Sequence, residues 1–334
     1  MNLALAGAGT VSVLHAMAAS AEQIPIVAVA SRTPSIATER AEQVNGRAVS
    51  FADLPAGADA VIVCTPVDTH AQFVLAALKA GAAVLVEKPM ASTLTDADEI
   101  VAATARGGRL LYGENLAHSP VVVRALELSR EIGQLNFVEL RMLAPHPTWG
   151  EFLNPQRGGG ALFDLGAHSL ALALLLAGDD QLVSVIGSLQ SSPGIEVDDY
   201  AEVILLFRSG LQGRIEVSWR HPDTFWDMQA SSDTGVVRAE LLPLASIEHN
   251  GEPVALPNFP EGVVAPLTHL GFIEQLRDLQ TVVDGNTPQM DATFGRYVLE
   301  IICAAYASAG NGQTPVTLPF TGLRDRTPHQ LWHS

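Results

Sequence analysis

The chain has 334 residues, of which 48% are hydrophobic and 16% are charged, so it can bury a sizeable core, and its length suggests two domains. Nineteen Lys and Arg against 36 Asp and Glu give a formal net charge of −17 at pH 7, which argues against nucleic acid and anionic membranes as partners. The two cysteines, Cys64 and Cys303, lie far apart in apolar runs, which indicates buried thiols in a reducing compartment rather than a disulfide. We expect a cytoplasmic globular protein, and no cysteine cluster suggests a metal site.

The first twenty residues are apolar and superficially resemble a signal peptide. They lack Lys or Arg ahead of the apolar stretch, so a strand, a glycine turn and a helix explain them better. The longest uninterrupted apolar run, at residues 170–177, is shorter than the roughly 20 residues that a membrane-spanning helix needs. We therefore expect no membrane partner.

The first third of the chain alternates short apolar runs with helical stretches. Strands are predicted at residues 3–6, 26–30, 60–64, 83–86 and 110–112, and helices at residues 11–20, 35–44, 70–80 and 95–105. The strands are apolar throughout, which is typical of a parallel sheet covered by helices on both faces. Right-handed crossovers place the carboxyl ends of these strands on one rim, where ligands bind.

The first strand ends in a turn that contains Gly7 and Gly9. Two glycines let the backbone approach a pyrophosphate, whose charge is favoured at the N-terminus of the following helix. Ser12 stands where the usual fingerprint has Gly or Ala, and such a turn also occurs as an ordinary strand-to-helix connection. Its position on the rim predicts dinucleotide binding by Gly7, Gly9, Thr10 and Val11.

The end of the second strand indicates which dinucleotide binds. An acidic residue there would accept the ribose 2′-hydroxyl of NAD, but this chain has Ser31, Arg32 and Thr33. A hydroxyl and a guanidinium suit the 2′-phosphate of NADP through charge-assisted hydrogen bonds. NADP is therefore the predicted cofactor, with NAD as the alternative, and Arg32 as a solvated loop residue is the competing interpretation.

Two further rim segments carry candidate residues. In the segment after the third strand, Pro66 can hold the turn open before the next helix. Lys88 follows the fourth strand beside Glu87 and is a candidate proton donor near the reactive end of the cofactor, unless it is an ordinary surface lysine. The cofactor-binding residues predicted from these segments and from the end of the fifth strand are Cys64, Thr65, Pro66, His70, Glu87, Lys88 and Asn115.

The segment GGGALFDLGAH, at residues 158–168, places Asp164 and His168 four residues apart in an apolar stretch. In a helix the two side chains lie on one face, about a turn apart, where a carboxylate can hold an imidazole. Asp164 as a cap of the helix N-terminus is the alternative. In the preceding loop, Trp149 and Arg157 are candidate substrate-binding residues.

The remaining two thirds predict a second domain with a sheet. A helix is predicted at residues 120–132, followed by strands at residues 136–143, 182–189, 201–207, 213–218, 228–231 and 236–239. Two amphipathic helices, at residues 268–285 and 292–309, end the chain. The imperfect alternation of apolar residues suits a sheet with one covered face.

Taken together, these motifs resemble the glucose–fructose oxidoreductase / inositol dehydrogenase / rhizopine catabolism family (Gfo/Idh/MocA). The resemblance rests on the glycine turn at 7–12, TPVDTH at 65–70, AGAAVLVEKPMA at 80–91, YGEN at 112–115 and GGGALFDLGAH at 158–168. It implies an α/β protein in which a doubly wound parallel Rossmann domain, residues 1–117, binds NAD(P). The second domain, residues 118–334, would be an α/β domain with a large, mostly antiparallel open sheet. One face of that sheet would join subunits into a homodimer or homotetramer.

The resemblance also implies that Lys88, Asp164 and His168 line the substrate pocket. It predicts hydride transfer between nicotinamide C4 and a secondary alcohol or ketone of a sugar, cyclitol or related compound. Lys88 or His168 would handle the hydroxyl proton, and Asp164 would orient His168. Members often have an acidic residue or Asn where this chain has Ala171. The alternatives are a non-catalytic dinucleotide-binding regulator and another redox chemistry on the same scaffold, such as dihydrodiol oxidation, biliverdin-type reduction or redox-assisted glycoside hydrolysis.

Overall fold

The computed structural model describes residues 1–157, 159–256 and 265–334. The chain divides into two compact units. The first holds Met1–Asn115 and the described part of Glu261–Tyr297, and the second holds the described part of Leu116–Pro260 and Val298–Ser334. The chain passes from the first unit to the second after Asn115, close to the predicted boundary after residue 117. The structure differs from the predicted division because the described part of Glu261–Tyr297 belongs to the first unit again.

A parallel sheet forms the centre of the first unit. Its strands are β1 (Leu3–Ala6), β2 (Ile26–Ala30), β3 (Arg47–Ala48), β4 (Ala60–Val63), β5 (Ala83–Glu87) and β6 (Leu110–Gly113). They lie in the order β3-β2-β1-β4-β5-β6, and all neighbours pair in parallel. The predicted doubly wound parallel sheet is confirmed. The order reverses between β1 and β4, which is where such sheets bind ligands.

A mostly antiparallel sheet forms the second unit. Its strands are β7 (Leu135–Pro145), β8 (Leu182–Gln190), β9 (Tyr200–Phe207), β10 (Gln212–Ser218), β11 (Arg220–Ser232), β12 (Val236–Leu242), β13 (Ser246–His249), β14 (Glu252–Pro253) and β15 (Val316–Thr317). The order is β14-β13-β12-β11-β7-β10-β9-β8-β15, and β10 with β7 forms a parallel pair among antiparallel neighbours. The predicted fold class is therefore confirmed, although β11 is much longer than the four residues predicted for it.

Helices accompany both sheets. They are α1 (Thr10–Ala21), α2 (Pro34–Gln43), α3 (His70–Lys79), α4 (Leu94–Ala105), α5 (Pro120–Glu131), α6 (Ala161–Ala177), α7 (Ala265–His269), α8 (Phe272–Val283), α9 (Ala292–Gly310) and α10 (Pro328–Trp332). Local chemistry fixes several ends: Thr93, for example, accepts the Asp96 N–H at 3.1 Å and so caps α4. The predicted helix at 268–285 is interrupted at Gly271, whose φ of +78° breaks the helical backbone between α7 and α8.

Helix α8 explains why the chain returns to the first unit. It packs on β5, β6 and α1, and its apolar face, which includes Leu276, Leu279 and Val282, is buried. On its outer face the Arg277 guanidinium binds the Glu22 carboxylate with Nε–Oε2 and Nη2–Oε1 distances of 2.9 and 2.8 Å. Most of the stabilisation comes from the apolar burial, since an exposed ion pair contributes at most about 1 kcal/mol.

The sheet of the second unit has one covered face. Residues alternate between buried and half-buried along β7, β9, β10 and β12, and helices α5 and α6 pack on the buried side. The other face carries cross-strand charge pairs. Arg214 donates to Glu202 at 2.9 Å and to Glu139 at 2.8 Å, and these hydrogen bonds raise the pKa of the guanidinium above its ordinary value. Beside them lie apolar side chains, among which Leu206 is 42% exposed.

Helix α6 is the most apolar helix of the second unit's core. By length and composition the segment Pro155–Ala177 could cross a membrane, but 78% of its apolar window is buried inside the protein, which is what a core helix shows. The uninterrupted apolar run within it, residues 170–177, is too short to predict such a crossing from the sequence. Cys64 is partly buried and Cys303 is fully buried, and the two do not form a disulfide, as predicted.

Candidate functional site

The turn after β1 can be built only with glycine at its first position. Gly7 has a φ of +114°, and a Cβ there would lie 2.6 Å from the Cys64 carbonyl oxygen and 2.9 Å from the Thr65 nitrogen. The Gly7 N–H donates to the Ala30 carbonyl at 2.9 Å. The ends of β1, β2 and β4 are thus held together at the rim.

Gly9 and Ser12 shape the start of α1. A Cβ built on Gly9 would meet nothing within 4 Å, so the space in front of the helix is open, as close approach of a phosphate requires. The first turn of α1 contains no acidic residue that would repel an anion. Ser12 is fully buried and its hydroxyl donates to the Gly9 carbonyl at 2.6 Å, so serine fits at the sixth position without opening the turn. Thr10 and Val11 follow as the first helical residues.

The segment after β2 has the chemistry predicted for a ribose phosphate. Arg32 and Thr33 are exposed, Ser31 is partly exposed, and no carboxylate interrupts them. The Thr33 N–H donates to the Ser31 hydroxyl at 3.3 Å, just before Pro34 begins α2. The first unit therefore offers an open glycine turn and, on the neighbouring strand, a polar and cationic segment, which fits an NAD(P) dinucleotide.

His70 holds two rim loops together. Its side chain is 2% exposed, with Nε2 2.8 Å from the Thr65 carbonyl oxygen and Nδ1 3.0 Å from the Pro89 carbonyl oxygen. Burial lowers the pKa of the imidazole below its ordinary value. Because both ring nitrogens face protein carbonyls, this geometry favours a structural tie between the loops after β4 and β5. The Thr69 hydroxyl closes the same turn by donating to the Pro66 carbonyl at 2.7 Å.

Cys64 and Asn115 also contact protein backbone. The Cys64 thiol donates to the Gly7 carbonyl at 3.6 Å, and burial raises its pKa well above the ordinary value, so it remains a thiol at neutral pH. Asn115 is 6% exposed, and its Nδ2 donates to the Leu270 carbonyl at 2.7 Å. Asn115 therefore joins the end of β6 to the segment that returns to this unit.

Glu87, the last residue of β5, is anchored on both carboxylate oxygens. Its Oε1 lies 2.7 Å from His15 Nε2 on α1, and its Oε2 accepts the Lys88 N–H at 3.3 Å. Glu87 is 7% exposed and His15 is 2% exposed, whereas Lys88 is half-buried. His15 was not among the residues predicted from the sequence, although it lies one helical turn after Ser12 on α1.

In the second unit, packing accounts for the glycines before α6. Gly160 has a φ of +122°, and a Cβ there would lie 2.5 Å from the Tyr306 hydroxyl and still closer to Asp198 Oδ1. A Cβ on Gly159 would collide with the Phe152 carbonyl oxygen. In the structure Gly159 and Gly160 make room for protein groups. Gly158 lies outside the described residues.

Asp198 caps α6. Its Oδ2 accepts the Leu162 N–H at 2.8 Å, its backbone carbonyl accepts the Ala161 N–H at 2.8 Å, and its Oδ1 accepts the Tyr306 hydroxyl. Asp164, by contrast, lies inside the helix, where its own N–H donates to the Gly160 carbonyl at 3.0 Å. The alternative that Asp164 is the N-terminal cap is therefore wrong, because a residue distant in sequence fills that role.

Asp164 and His168 lie one turn apart on α6. Asp164 is partly exposed and His168 is 5% exposed. The His168 ring packs against Trp226 of β11, with ring centroids 5.9 Å apart and planes tilted by 39°. This arrangement keeps the carboxylate closer to solvent than the imidazole, whose orientation the indole restricts.

The two loop candidates have different surroundings. Trp149 is 49% exposed and meets Phe152 edge-on, with ring centroids 4.9 Å apart. Arg157 ends a 3₁₀ turn, its N–H donates to the Asn154 carbonyl at 3.0 Å, and its Nε lies 3.9 Å from Glu151 Oε2. Trp149 thus presents an indole to solvent, and Arg157 has a carboxylate neighbour. Among the described residues, no group of three or more His, Cys, Asp or Glu side chains is placed to hold a metal ion.

Comparison with protein-family models decides the family. Residues 1–114 match the model described as "Oxidoreductase family, NAD-binding Rossmann fold", and residues 122–238 match the "GFO/IDH/MocA C-terminal domain". The chain belongs to the Gfo/Idh/MocA family of oxidoreductases. The resemblance stated from the motifs is thereby confirmed, as are the NAD-binding Rossmann fold of the first unit and the oxidoreductase class.

Individual Gfo/Idh/MocA proteins are similar over most of their length. Inositol 2-dehydrogenase of Rhizobium meliloti is 29% identical over 266 residues, which are 74% of this chain and 78% of that protein. D-xylose 1-dehydrogenase (NADP(+)) 2 of Haloferax volcanii is 27% identical over 326 residues, 93% of this chain and 97% of that one. The crystal structure of GenD2 from gentamicin A biosynthesis in complex with NAD is 26% identical. It has a TM-score of 0.84 and covers 95% of this chain and 96% of that chain.

Proposed function

We propose that this Gfo/Idh/MocA oxidoreductase interconverts a secondary alcohol and a ketone on a sugar, cyclitol or related small polyhydroxy compound, with NADP(H) as the preferred cofactor. The observation that carries the proposal is the joint presence of Lys88 directly after β5 and of Asp164 and His168 one turn apart on α6. The names of the inositol and xylose dehydrogenases support the substrate class. The bound dinucleotide supplies the hydride chemistry, and the protein supplies orientation and proton transfer.

Lys88, Asp164 and His168 have distinct roles in this proposal. The Lys88 ammonium donates a hydrogen bond to the substrate oxygen and stabilises the negative charge that develops there. His168 takes or returns the hydroxyl proton as general base or acid. Asp164 orients the imidazole and stabilises its protonated form. Because Asp198 already caps α6, the Asp164 carboxylate is not needed for the helix start.

The preference for NADP rests on the segment after β2. Ser31, Arg32 and Thr33 provide hydroxyls and a guanidinium where an NAD-specific site would place a carboxylate. A guanidinium can bind a phosphate by two parallel hydrogen bonds. NAD remains the alternative cofactor.

Turnover of a defined panel tests the proposal. The purified protein is mixed with NADP⁺ or NAD⁺ and with myo-inositol, D-xylose and related polyols or sugars, and reduced nicotinamide is followed by its absorbance. The variants Lys88→Met and His168→Asn should lower kcat by about 10² to 10⁴-fold while dinucleotide affinity changes little. Turnover of dihydrodiols, biliverdin or glycosides in place of polyols would contradict the substrate class. Tight dinucleotide binding without any turnover would favour a dinucleotide-binding regulator.

We further propose a homodimer or homotetramer that associates through the half-buried face of the second unit's sheet. This face carries Leu206 and neighbouring apolar side chains beside cross-strand ion pairs. Such a surface supports association, because the apolar side chains can be buried and the charges make the contact specific. That Cys64 and Cys303 remain thiols and form no disulfide supports the cytoplasm as the compartment.

A further inference from the structure

We propose that Asp198 and Tyr306 are positioning residues for the reaction: they fix the start of α6 and thereby the placement of Asp164 and His168. This inference rests on the roles proposed above for Asp164 and His168. It concerns residues that do not themselves touch the substrate.

Three hydrogen bonds meet at Asp198. Its carboxylate and its backbone carbonyl accept the N–H groups of Leu162 and Ala161, both at 2.8 Å, and its remaining oxygen accepts the Tyr306 hydroxyl. Asp198 and Tyr306 are both 0% exposed. The first N–H groups of a helix have no partner within the helix, so whatever accepts them determines where the helix begins.

Gly160 fits closely against Asp198 and Tyr306. This glycine stands at the N-cap position and has no side chain with which to cap α6. The space that a Cβ would occupy is filled by Asp198 Oδ1 and the Tyr306 hydroxyl. Gly160, the Asp198 carboxylate and the Tyr306 phenol therefore form one closely packed cluster. Leu162 lies only two residues before Asp164, so a change in this cluster directly affects the helical turn that carries Asp164 and His168.

The charge of Asp198 is also constrained. Burial raises its pKa to about 6, while the Tyr306 hydroxyl and the Leu162 N–H act in the opposite direction. The groups that face it are Tyr306 from α9 and the neighbouring Asp199, whose carboxylate accepts Arg220 Nε at 2.8 Å. At neutral pH Asp198 is a carboxylate and can accept both hydrogen bonds. Removing the Tyr306 hydroxyl should therefore raise the pKa of Asp198.

The test uses Asp198→Ala, Asp198→Asn and Tyr306→Phe in the full-length protein. Amide hydrogen exchange of the peptide that contains Ala161 and Leu162 reports the helix start without requiring turnover. Asp198→Ala should remove protection there and lower kcat by up to about 10²-fold, with the Kd for NADPH unchanged. Asp198→Asn keeps an oxygen for the Leu162 N–H and should retain most of the protection and rate. Tyr306→Phe should shift the acidic limb of the kcat profile to higher pH.

Glu300→Ala is the matched control for Asp198→Ala, because it also removes a buried carboxylate that accepts a backbone N–H. Glu300 is 2% exposed on the same helix as Tyr306, and its carboxylate accepts a backbone N–H, that of Phe320 at 2.8 Å. The control should leave both the exchange of the 161–162 peptide and kcat unchanged. A loss of protection equal to that of Asp198→Ala would overturn the inference, because it would show that any buried defect loosens α6.

Failure of this inference can be separated from failure of the proposed function. If His168→Asn abolishes turnover while Asp198→Ala keeps full kcat and full amide protection, the positioning role is wrong and the catalytic roles stand. If both variants keep full kcat on the polyol that is oxidised fastest, the catalytic assignment of α6 is itself wrong, and the positioning role falls with it.

Discussion

His15 Nε2 lies 2.7 Å from Glu87 Oε1, and this buried pair joins the helix that begins at the glycine turn to the strand that ends before Lys88. The same carboxylate accepts the Lys88 N–H. Glu87 thus anchors both α1, the helix of the cofactor-binding turn, and the backbone of Lys88.

His15→Ala should destabilise the protein by about 1 to 3 kcal/mol, because it leaves the buried Glu87 carboxylate without its imidazole partner. Urea unfolding measures this loss. Turnover should fall as well, since the backbone at Lys88 is held through Glu87. The double variant His15→Ala/Glu87→Gln serves as the control and should lose less stability than the sum of the two single variants. Strict additivity would show that the pair is not coupled.

Ser31→Asp should reverse the cofactor preference. A carboxylate at this position accepts the ribose 2′-hydroxyl of NAD and repels the 2′-phosphate of NADP. We expect the ratio of the two Kd values to change by about 10-fold or more, equivalent to about 1.4 kcal/mol. Fluorescence titration with NADH and NADPH gives both constants. Ser35→Asp, which adds the same charge at an exposed position in the first turn of α2, should leave the ratio nearly unchanged. Equal or tighter binding of NAD by the unmodified protein contradicts the prediction.

Gly160→Ala should be among the most destabilising single substitutions in the second unit. It combines a positive φ with a collision against Asp198 and Tyr306. Gly178, at the other end of α6, also has a positive φ, but a Cβ there would meet nothing within 4 Å. Gly178→Ala should therefore cost about 1 kcal/mol or more from backbone strain. Gly160→Ala should cost a further 1 to 3 kcal/mol or so from overpacking, as measured by urea unfolding. Equal losses for the two variants would refute the packing argument.

Asp164→Asn and Asp164→Ala should both reduce kcat strongly while changing the free energy of unfolding by less than about 0.5 kcal/mol. The reason is that Asp198, and not Asp164, caps α6. The two variants are compared by turnover on the identified polyol and by thermal unfolding. A full rate with Asn would remove the carboxylate charge from the mechanism and leave the proton chemistry to Lys88 and His168.

Leu206→Arg should convert an oligomer into monomers. Leu206 lies on the half-buried face of β9, and an added cation there would stand unpaired within the proposed interface. Light scattering at micromolar concentration measures the molecular mass of both proteins. Leu323→Arg, at a residue that is 55% exposed outside the two sheets, is the control and should leave the mass unchanged. A monomeric unmodified protein contradicts the proposed assembly.

Short-range features of the sequence predict much of the fold and of the candidate site. Apolar runs placed the strands of the first sheet, and the requirement for glycine at position 7 follows directly from a turn that meets a neighbouring strand. The spacing of Asp164 and His168 placed both side chains on one helix. Helix 268–285 was predicted as continuous because periodicity alone does not show that Gly271 adopts a positive φ.

The residues that the sequence did not reveal form hydrogen bonds with partners far away in the sequence. His15 and Glu87 are 72 residues apart, Leu162 and Asp198 are 36 apart, and Asp198 and Tyr306 are 108 apart. A single sequence shows that each residue is polar in an apolar setting, but it does not show which partner satisfies it. Buried polar groups require such partners. A single histidine among the apolar residues of α1 was therefore the one feature of the sequence that could have indicated a buried partner for His15.

The return of α8 to the first unit has a consequence for synthesis and for the design of fragments. The ribosome completes the six strands of the parallel sheet well before it makes Phe272–Val283, so the surface that α8 covers on β5 and β6 stays open during most of translation. A fragment cut after residue 117 would keep that surface permanently exposed to solvent and to other chains. Such a fragment should aggregate or require a chaperone, and addition of α8 as a separate peptide should restore its solubility.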